Sequence, residues 1–475
     1  MFVPSFHLIA PRRWLAPSAL LLALSAACVP TRPAAEARAG NESEPGSLTV
    51  SGAQPTPGAR SVAISEERPA TAPGTVAGAG LDRGLVIREV LAKNPDIDAR
   101  RAAWRAARSK GRQVDSLDDP MLGYEIAPLS LVSKMRFGQT VRLSQRFPWL
   151  GKLANASEAE ERAAAASGHE LELTELDLAL EASLLYDEYW VVDRSAEVNS
   201  EHRNLLGELK RSAEIQYSVG RASLSDPLQA ELEIAMLEEQ DLGLASRRDI
   251  VVAQLNALLH RPPQRPLPAP PADLGVVLSV PPASIDLQRR AVASSPELKK
   301  LAAKSRAAQA RIRYAERQYY PDVTLMASYS SMFAEIEHQF MLGFEAPIPV
   351  QRGSRAGMVD EASAMAAELD HDAKSVTDRI RARVEVDRRR VVEAIQVVTL
   401  YDSRLIPTAR SQVAAARADF GAGNTNFATV ISAEKSLRNV QLARHAAAAE
   451  LSKRRARLDR SQGRFPLGSR KGGAR

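Results

Sequence analysis

Polar and apolar positions along the chain follow two different periods. Positions 156–217 form a proline-free run of roughly sixty residues, with apolar side chains at helical spacing such as Leu173, Leu176, Leu180, Leu184, Val191, Val198 and Leu205. At 1.5 Å per residue this is about 90 Å of helix. Positions 356–420 repeat the pattern with one interruption, at Pro407. Helices of this length without a globular partner must pack on other long helices, as coiled coils do. Shorter helical patterns cover 85–116, 224–259 and 284–318, the last two parted by Pro262, Pro263, Pro266, Pro268, Pro270 and Pro271. Those two together match one long helix, which predicts a wall of long helices with a belt at the proline-rich break.

Between the helices the period drops to two. Leu122, Tyr124 and Ile126 alternate with Gly123, Glu125 and Ala127. After a short loop, Phe137, Gln139, Val141, Leu143, Gln145 and Phe147 alternate with Arg136, Gly138, Thr140, Arg142, Ser144 and Arg146. Further on, Val323, Leu325, Ala327 and Tyr329 oppose Thr324, Met326, Ser328 and Ser330, and Phe340, Leu342, Phe344, Ala346 and Ile348 oppose Gln339, Met341, Gly343 and Glu345. These are two hairpins, each apolar on one face. A soluble sheet also buries one apolar face, so alternation alone leaves open whether that face meets a core or lipid.

The order of elements is written twice. Asn94-Pro95 opens an Ala/Arg helix ending at Asp119-Pro120, and Ser295-Pro296 opens one ending at Tyr320-Pro321; both pairs of prolines lie 201 positions apart. Phe147-Pro148-Trp149-Leu150-Gly151-Lys152 answers Ile348-Pro349-Val350-Gln351-Arg352-Gly353, and Tyr217-Ser218-Val219-Gly220 answers Phe420-Gly421-Ala422-Gly423. Anchors in one order at a near-constant offset describe a tandem repeat. Each unit reads helix, two strands, long helix, glycine turn, helix.

Composition agrees with a helical rod: a quarter of the 475 residues are charged and 5% are aromatic. The net charge of +6 owes much to a basic C-terminal end around Lys453, Arg454, Arg455, Arg457, Arg460, Arg464, Arg470, Lys471 and Arg475. A solvated tail and a nucleic-acid contact both have such charge, but Phe465 is the one aromatic residue among them, too few for a stacking platform. At the other end Arg12 and Arg13 precede an apolar run and then Ser25, Ala26, Ala27 and Cys28, the order of a secretory signal peptide. Cys28 is the sole cysteine, so no intramolecular disulfide exists. Leu24-Ser25-Ala26-Ala27-Cys28 resembles a bacterial lipobox, with Ser25 departing from the usual aliphatic residue, and implies lipidation of Cys28; a plain signal peptide with an incidental cysteine is the other reading. Val29 after the cysteine matches the sorting pattern for the outer membrane. The Pro/Ala/Gly-rich stretch that follows reads as a tether. No later segment approaches twenty apolar residues, so any membrane crossing must use a closed β-barrel.

The paired Asn94-Pro95 and Ser295-Pro296 starts, the hairpins ending at Pro148 and Pro349, and the two glycine tips resemble the TolC-like outer membrane efflux family (outer membrane factors) over 81–460. Gln145-Arg146-Phe147-Pro148-Trp149-Leu150-Gly151-Lys152 is most similar to its heavy-metal, CzcC-like branch. The resemblance implies a mainly α fold with a small β part. Long antiparallel helices would form an α-barrel tunnel, and four strands per chain would enter a twelve-stranded transmembrane β-barrel shared by a homotrimer. It implies a signal peptide at 1–27, an anchor and linker at 28–80, repeats at 81–270 and 271–460, and a basic tail at 461–475. The partners implied are a periplasmic membrane-fusion (adaptor) protein, an inner-membrane pump of the RND type and outer-membrane lipid, with no nucleic acid. The function implied is a passive exit duct, needing no cofactor, for substrates that include heavy-metal cations.

Candidate sites follow from this frame. Arg136, Thr140, Arg142, Ser144, Gln339 and Glu345 are expected to face the water-filled lumen. At the tips, Gly220 and Gly423 permit reversal, and Ser223 and Asp226, or Asn426 and Thr429, are expected to cap the helices that follow. Val219, Arg221 and Leu224, beside Asn424, Thr425 and Phe427, are the candidates for adaptor contact. The family's tips carry a Val-Gly pair, which Val219-Gly220 matches and Ala422-Gly423 does not. Catalytic motifs such as HExxH, CxxC, GxSxG and a phosphate loop are absent, and the seven histidines lack ligand spacing. His338, with Glu335 and Glu337, sits in an expected external loop that is either an ordinary polar loop or a weak cation site. The competing reading of the whole chain is a lipid-anchored periplasmic coiled-coil scaffold without a pore, which has no reason to keep two alternating hairpins.

Overall fold

The computed structural model describes residues 81–127, 138–331 and 338–466. Cys28 and Arg136, and the loop carrying Glu335 and Glu337, lie outside the described residues. The first half runs α1 (Arg83–Lys93), α2 (Pro95–Val114), β1 (Met121–Ala127), β2 (Gly138–Phe147), α3 (Lys152–Ser218) and α4 (Ser225–Leu258). The second runs α5 (Ser284–Ser294), α6 (Pro296–Arg317), β3 (Val323–Ser330), β4 (Gln339–Glu345), α7 (Arg352–Leu400), a π-helical turn (Tyr401–Leu405), α8 (Ile406–Gly421) and α9 (Phe427–Ser461). The order of helices and strands repeats, as the paired motifs predict.

The helical stretches expected over 85–116 and 284–318 are each two helices. Pro95 and Pro296 lack the N–H that would continue a helix, so each opens a new one. The residue before each proline serves as cap: Asn94 accepts from the Asp96 amide at 2.9 Å and Ser295 from the Leu298 amide at 3.3 Å. The interruption expected at Pro407 falls one turn earlier. Pro407 cannot donate to the Ser403 carbonyl and its ring crowds it, and the π-helical turn Tyr401–Leu405 absorbs the mismatch without ending the rod. Strand β4, expected to reach Ile348, ends at Glu345 because Pro347 and Pro349 cannot join the ladder.

Helix α3, at 67 residues about 100 Å long, is the spine, packing against α2, α4, α6 and α9, while α7 packs against α5, α6 and α9. At the belt, Tyr189 and Trp190 of α3 are almost wholly buried. Their polar tips meet the proline-rich segment: Trp190 Nε1 donates to the Pro271 carbonyl at 2.8 Å, and the Tyr189 hydroxyl donates to that of Pro268 at 3.2 Å. A buried aromatic needs such a partner, and proline carbonyls, which no helix claims, supply it. The incoming chain is held there too, with the Leu81 amide donating to the Ala269 carbonyl at 3.0 Å.

The four strands make one antiparallel sheet in the order β1-β2-β3-β4. Among the described residues no helix is long and apolar enough to cross a membrane, which says nothing of the strands.

Candidate functional site

Direct strand partners share a face, so the register decides what the sheet presents. Gly123, Arg142, Ser328 and Met341 align across all four strands, as do Glu125, Thr140, Ser330 and Gln339. Ser144 pairs with Met326, and Arg146 with Thr324, which pairs with Glu345. The five described lumen candidates, Thr140, Arg142, Ser144, Gln339 and Glu345, therefore lie on one face, among glycines and hydroxyls. Thr140 and Ser330 are buried and their hydroxyls are 3.1 Å apart. The opposite face carries Leu122, Tyr124, Ile126, Val141, Leu143, Leu325, Phe340, Leu342 and Phe344. Among the described residues nothing packs on it: Leu342 is 88% exposed and Phe340 79%. Strands β1 and β4 each keep an open edge. A sheet apolar outside and polar inside, with two free edges, is incomplete in water and in lipid alike.

An ionic knot joins this sheet to the helices. Asp322, just before β3, accepts from the Trp149 amide at 3.0 Å and from Lys152 Nζ at 2.7 Å, and pairs with Arg146. Lys152, the first residue of α3 and itself buried, also donates to the Tyr320 carbonyl at 2.9 Å. Burial alone would raise the Asp322 pKa, but the hydrogen bonds from Lys152, the Trp149 amide and Arg146 outweigh it and hold it at about 2. The knot ties the end of one hairpin to the start of the other. Sequence reading misses it, because a pair 170 positions apart leaves no local signal.

Below the knot, α2, α3, α6 and α7 line a concave groove of about 800 Å³. Arg100 of α2 and Met358 of α7 both border it, although those helices occupy opposite ends of the α2-α3-α6-α7 packing order. The groove is therefore the inner side of a curved wall. Its charges include Lys300 and Glu170, paired at 2.8 Å, and Glu170 is held below the ordinary carboxylate range by the Lys300 hydrogen bond.

At the far end of the rods, two turns reverse the chain with the same geometry. Gly220 has φ +73 and Gly423 φ +75, left-handed values that a side chain resists. The Arg221 amide reaches the Gln216 carbonyl at 2.8 Å, and the Asn424 amide that of Asp419 at 2.8 Å. Val219, Gly220, Arg221, Ser223 and Leu224 are exposed, as are Ala422, Gly423, Asn424 and Asn426, with Thr425 half-buried.

Three expectations at the tips need correction. Phe427 is 1% exposed, its ring edge-on to Phe420 at 5.7 Å and packed with Leu206, Leu237 and Ile431, so it is a core residue; the helical spacing of Phe427, Val430 and Ile431 carries that signal. Asn426 caps α9 by accepting from the Thr429 amide at 3.0 Å and hydroxyl at 2.8 Å, so Thr429 donates and does not cap. Ser223 Oγ accepts from the Ser225 amide at 3.2 Å, whereas Asp226 lies in the first turn of α4 without capping it.

Residues 287–464 match the family described as outer membrane efflux protein. No curated protein sequence matches the chain. Solved structures do match it. A structure of CusC, described in connection with transmembrane channel formation, is 18% identical with a TM-score of 0.69, covering 81% of this chain and 93% of that one. The outer membrane protein VceC of Vibrio cholerae is 18% identical at TM-score 0.66, covering 80% and 96%. The open state of the MtrE outer membrane channel of Neisseria gonorrhoeae is 17% identical at 0.65, covering 81% and 89%. The fold, long helices with a small four-stranded sheet, is that of these channels.

Proposed function

We propose that the chain is a protomer of an outer-membrane efflux channel of the TolC-like family, the passive exit duct of a tripartite system. The observation that carries this reading is the unfinished sheet. An apolar face with Leu342 88% exposed has a natural partner in lipid, and the edges of β1 and β4 have theirs in neighbouring copies. Three copies give twelve strands, enough to enclose a water-filled lumen lined by Thr140, Arg142, Ser144, Gln339 and Glu345, with Arg136 expected to join them. The curved wall of α2, α3, α6 and α7 then closes into a tunnel below.

The repeats at 81–270 and 271–460 each supply one hairpin and one tip. The tips, at Val219–Leu224 and Ala422–Asn426, would meet a periplasmic adaptor that also engages an inner-membrane pump of the RND type. Cys28 would carry the lipid anchor. A conduit of this kind needs no catalytic group, because the pump supplies the energy. The scaffold alternative leaves the sheet's apolar face without a purpose.

Outer-membrane fractionation with heat-modifiable migration tests the proposal. The expected result is an outer-membrane protein that runs as a trimer unheated and as a monomer after boiling. A monomer released in the soluble periplasmic fraction would contradict it.

A further inference from the structure

Toward the tips, α4 packs on α3, α3 on α9 and α9 on α8, so α4 and α8 end the row of helices. Each end helix has one apolar row filled within the chain. Ala230 and Leu237 of α4 are buried with Leu206 and Ala213 of α3, and Val413 and Ala416 of α8 with Val430 and Ala433 of α9. Each also has a second row, at the alternating four- and three-residue spacing of a coiled-coil seam. On α4 it is Leu228, Leu232, Ala235, Glu239 and Leu242; on α8 it is Pro407, Ser411, Ala414, Ala418 and Gly421, and all are exposed. Leu228, Leu232 and Leu242 are 54%, 57% and 75% exposed, a leucine ridge about 20 Å long that is costly to leave in water.

Two ion pairs fix the heights of these rows. Lys435 of α9 meets Glu233 of α4 at 2.9 Å, and the adjacent Glu434 meets Arg417 of α8 at 2.8 Å. Helix α4 rises from the tip while α8 descends to it. Counting up one and back along the other sets Leu228 level with Gly421, Ala235 with Ala414, Glu239 with Arg410 and Leu242 with Pro407, to within about one turn. Glu239 and Arg410 are exposed, and among the described residues neither has a partner.

We propose that α4 of one copy docks on α8 of the next, its leucine ridge seated in the small-residue row and Glu239 paired with Arg410 across the seam. The proposal rests on the trimer reading above and names the contact that closes the helical wall. Rotation about an axis along the rods leaves height unchanged, so residues level within one chain are level between chains. The two rows complement each other in size and in charge: leucines meet Gly, Ala and Ser, which let the backbones approach, and a carboxylate meets a guanidinium. Because the two rows differ, the interface is heterologous and is satisfied in every copy only when the ring closes. A foreign helix would match the ridge on α4 but would leave the exposed row on α8, at the same height, without a role.

The test treats full-length protein in detergent with a short bismaleimide and reads covalent species after boiling. Wild type is compared with Glu239→Cys, with Arg410→Cys and with the variant carrying both; Cys28 is common to all four, so the differences between them report the seam. The expected result is covalent dimers and trimers in the double variant alone. A second measurement exchanges the charges: Glu239→Arg and Arg410→Glu should each lower the temperature at which the unheated trimer dissociates, and the two together should restore it. A trimeric wild type whose double variant gives no cross-links between chains would overturn the proposal and leave the leucine ridge to a foreign helix, as would charge exchanges that change nothing or fail to rescue each other. A monomeric wild type, seen without any substitution, would defeat the trimer reading itself.

Discussion

The two tips share a backbone and differ in what they do with their apolar residues. Both reverse through a left-handed glycine with matching hydrogen bonds. The second tip folds its large side chains inward, Phe420 against Phe427, and leaves Ala422, Asn424 and Asn426 on its surface. The first leaves Val219 62% exposed and Leu224 51%, near Ile215 at 66%. An apolar surface at the end of a rod is costly without a partner, whereas a self-packed polar turn is not. The comparison teaches that near-identical reversals can differ in packing: the second braces the rods, and the first leaves an apolar surface that, under the proposed docking, an adaptor would bury.

The largest effect is expected from Gly220→Pro or Gly423→Pro. Proline fixes φ near −65°, opposite in sign to +73 and +75, so the reversal cannot form. Efflux should be abolished in a complemented deletion strain while the unheated trimer persists; unchanged efflux would remove the tips from the docking account. Next in size, Phe427→Ala should cost about 3–5 kcal/mol through the cavity it leaves, read as lost hydrogen-exchange protection at the ends of α8 and α9. Val219→Ser should leave protection within about 0.5 kcal/mol yet weaken efflux, and a reversed ranking of the two would break the comparison. The most local effect is that of Asn426→Ala, which removes a cap worth about 1 kcal/mol and should lower protection only in the first turn of α9, with efflux unchanged.

Much of this architecture was legible in the chain. Helix length, the doubled order of elements and the alternation on the strands depend on local periods, and the register then placed Thr140, Arg142, Ser144, Gln339 and Glu345 together as that alternation requires. Phe427 was misjudged because a residue beside a turn looks exposed until the next helix is counted from it. The junction of Lys152 with Asp322 was not legible, since a contact between the two repeats is a product of their packing.

Closure of the open-edged sheet by neighbouring copies is the claim on which the rest depends. Purified protein measured by light scattering in detergent and then inserted in a planar bilayer tests it most directly. The account predicts the mass of three chains and stable, ohmic channels. A single chain, soluble without detergent and silent in the bilayer, would contradict it.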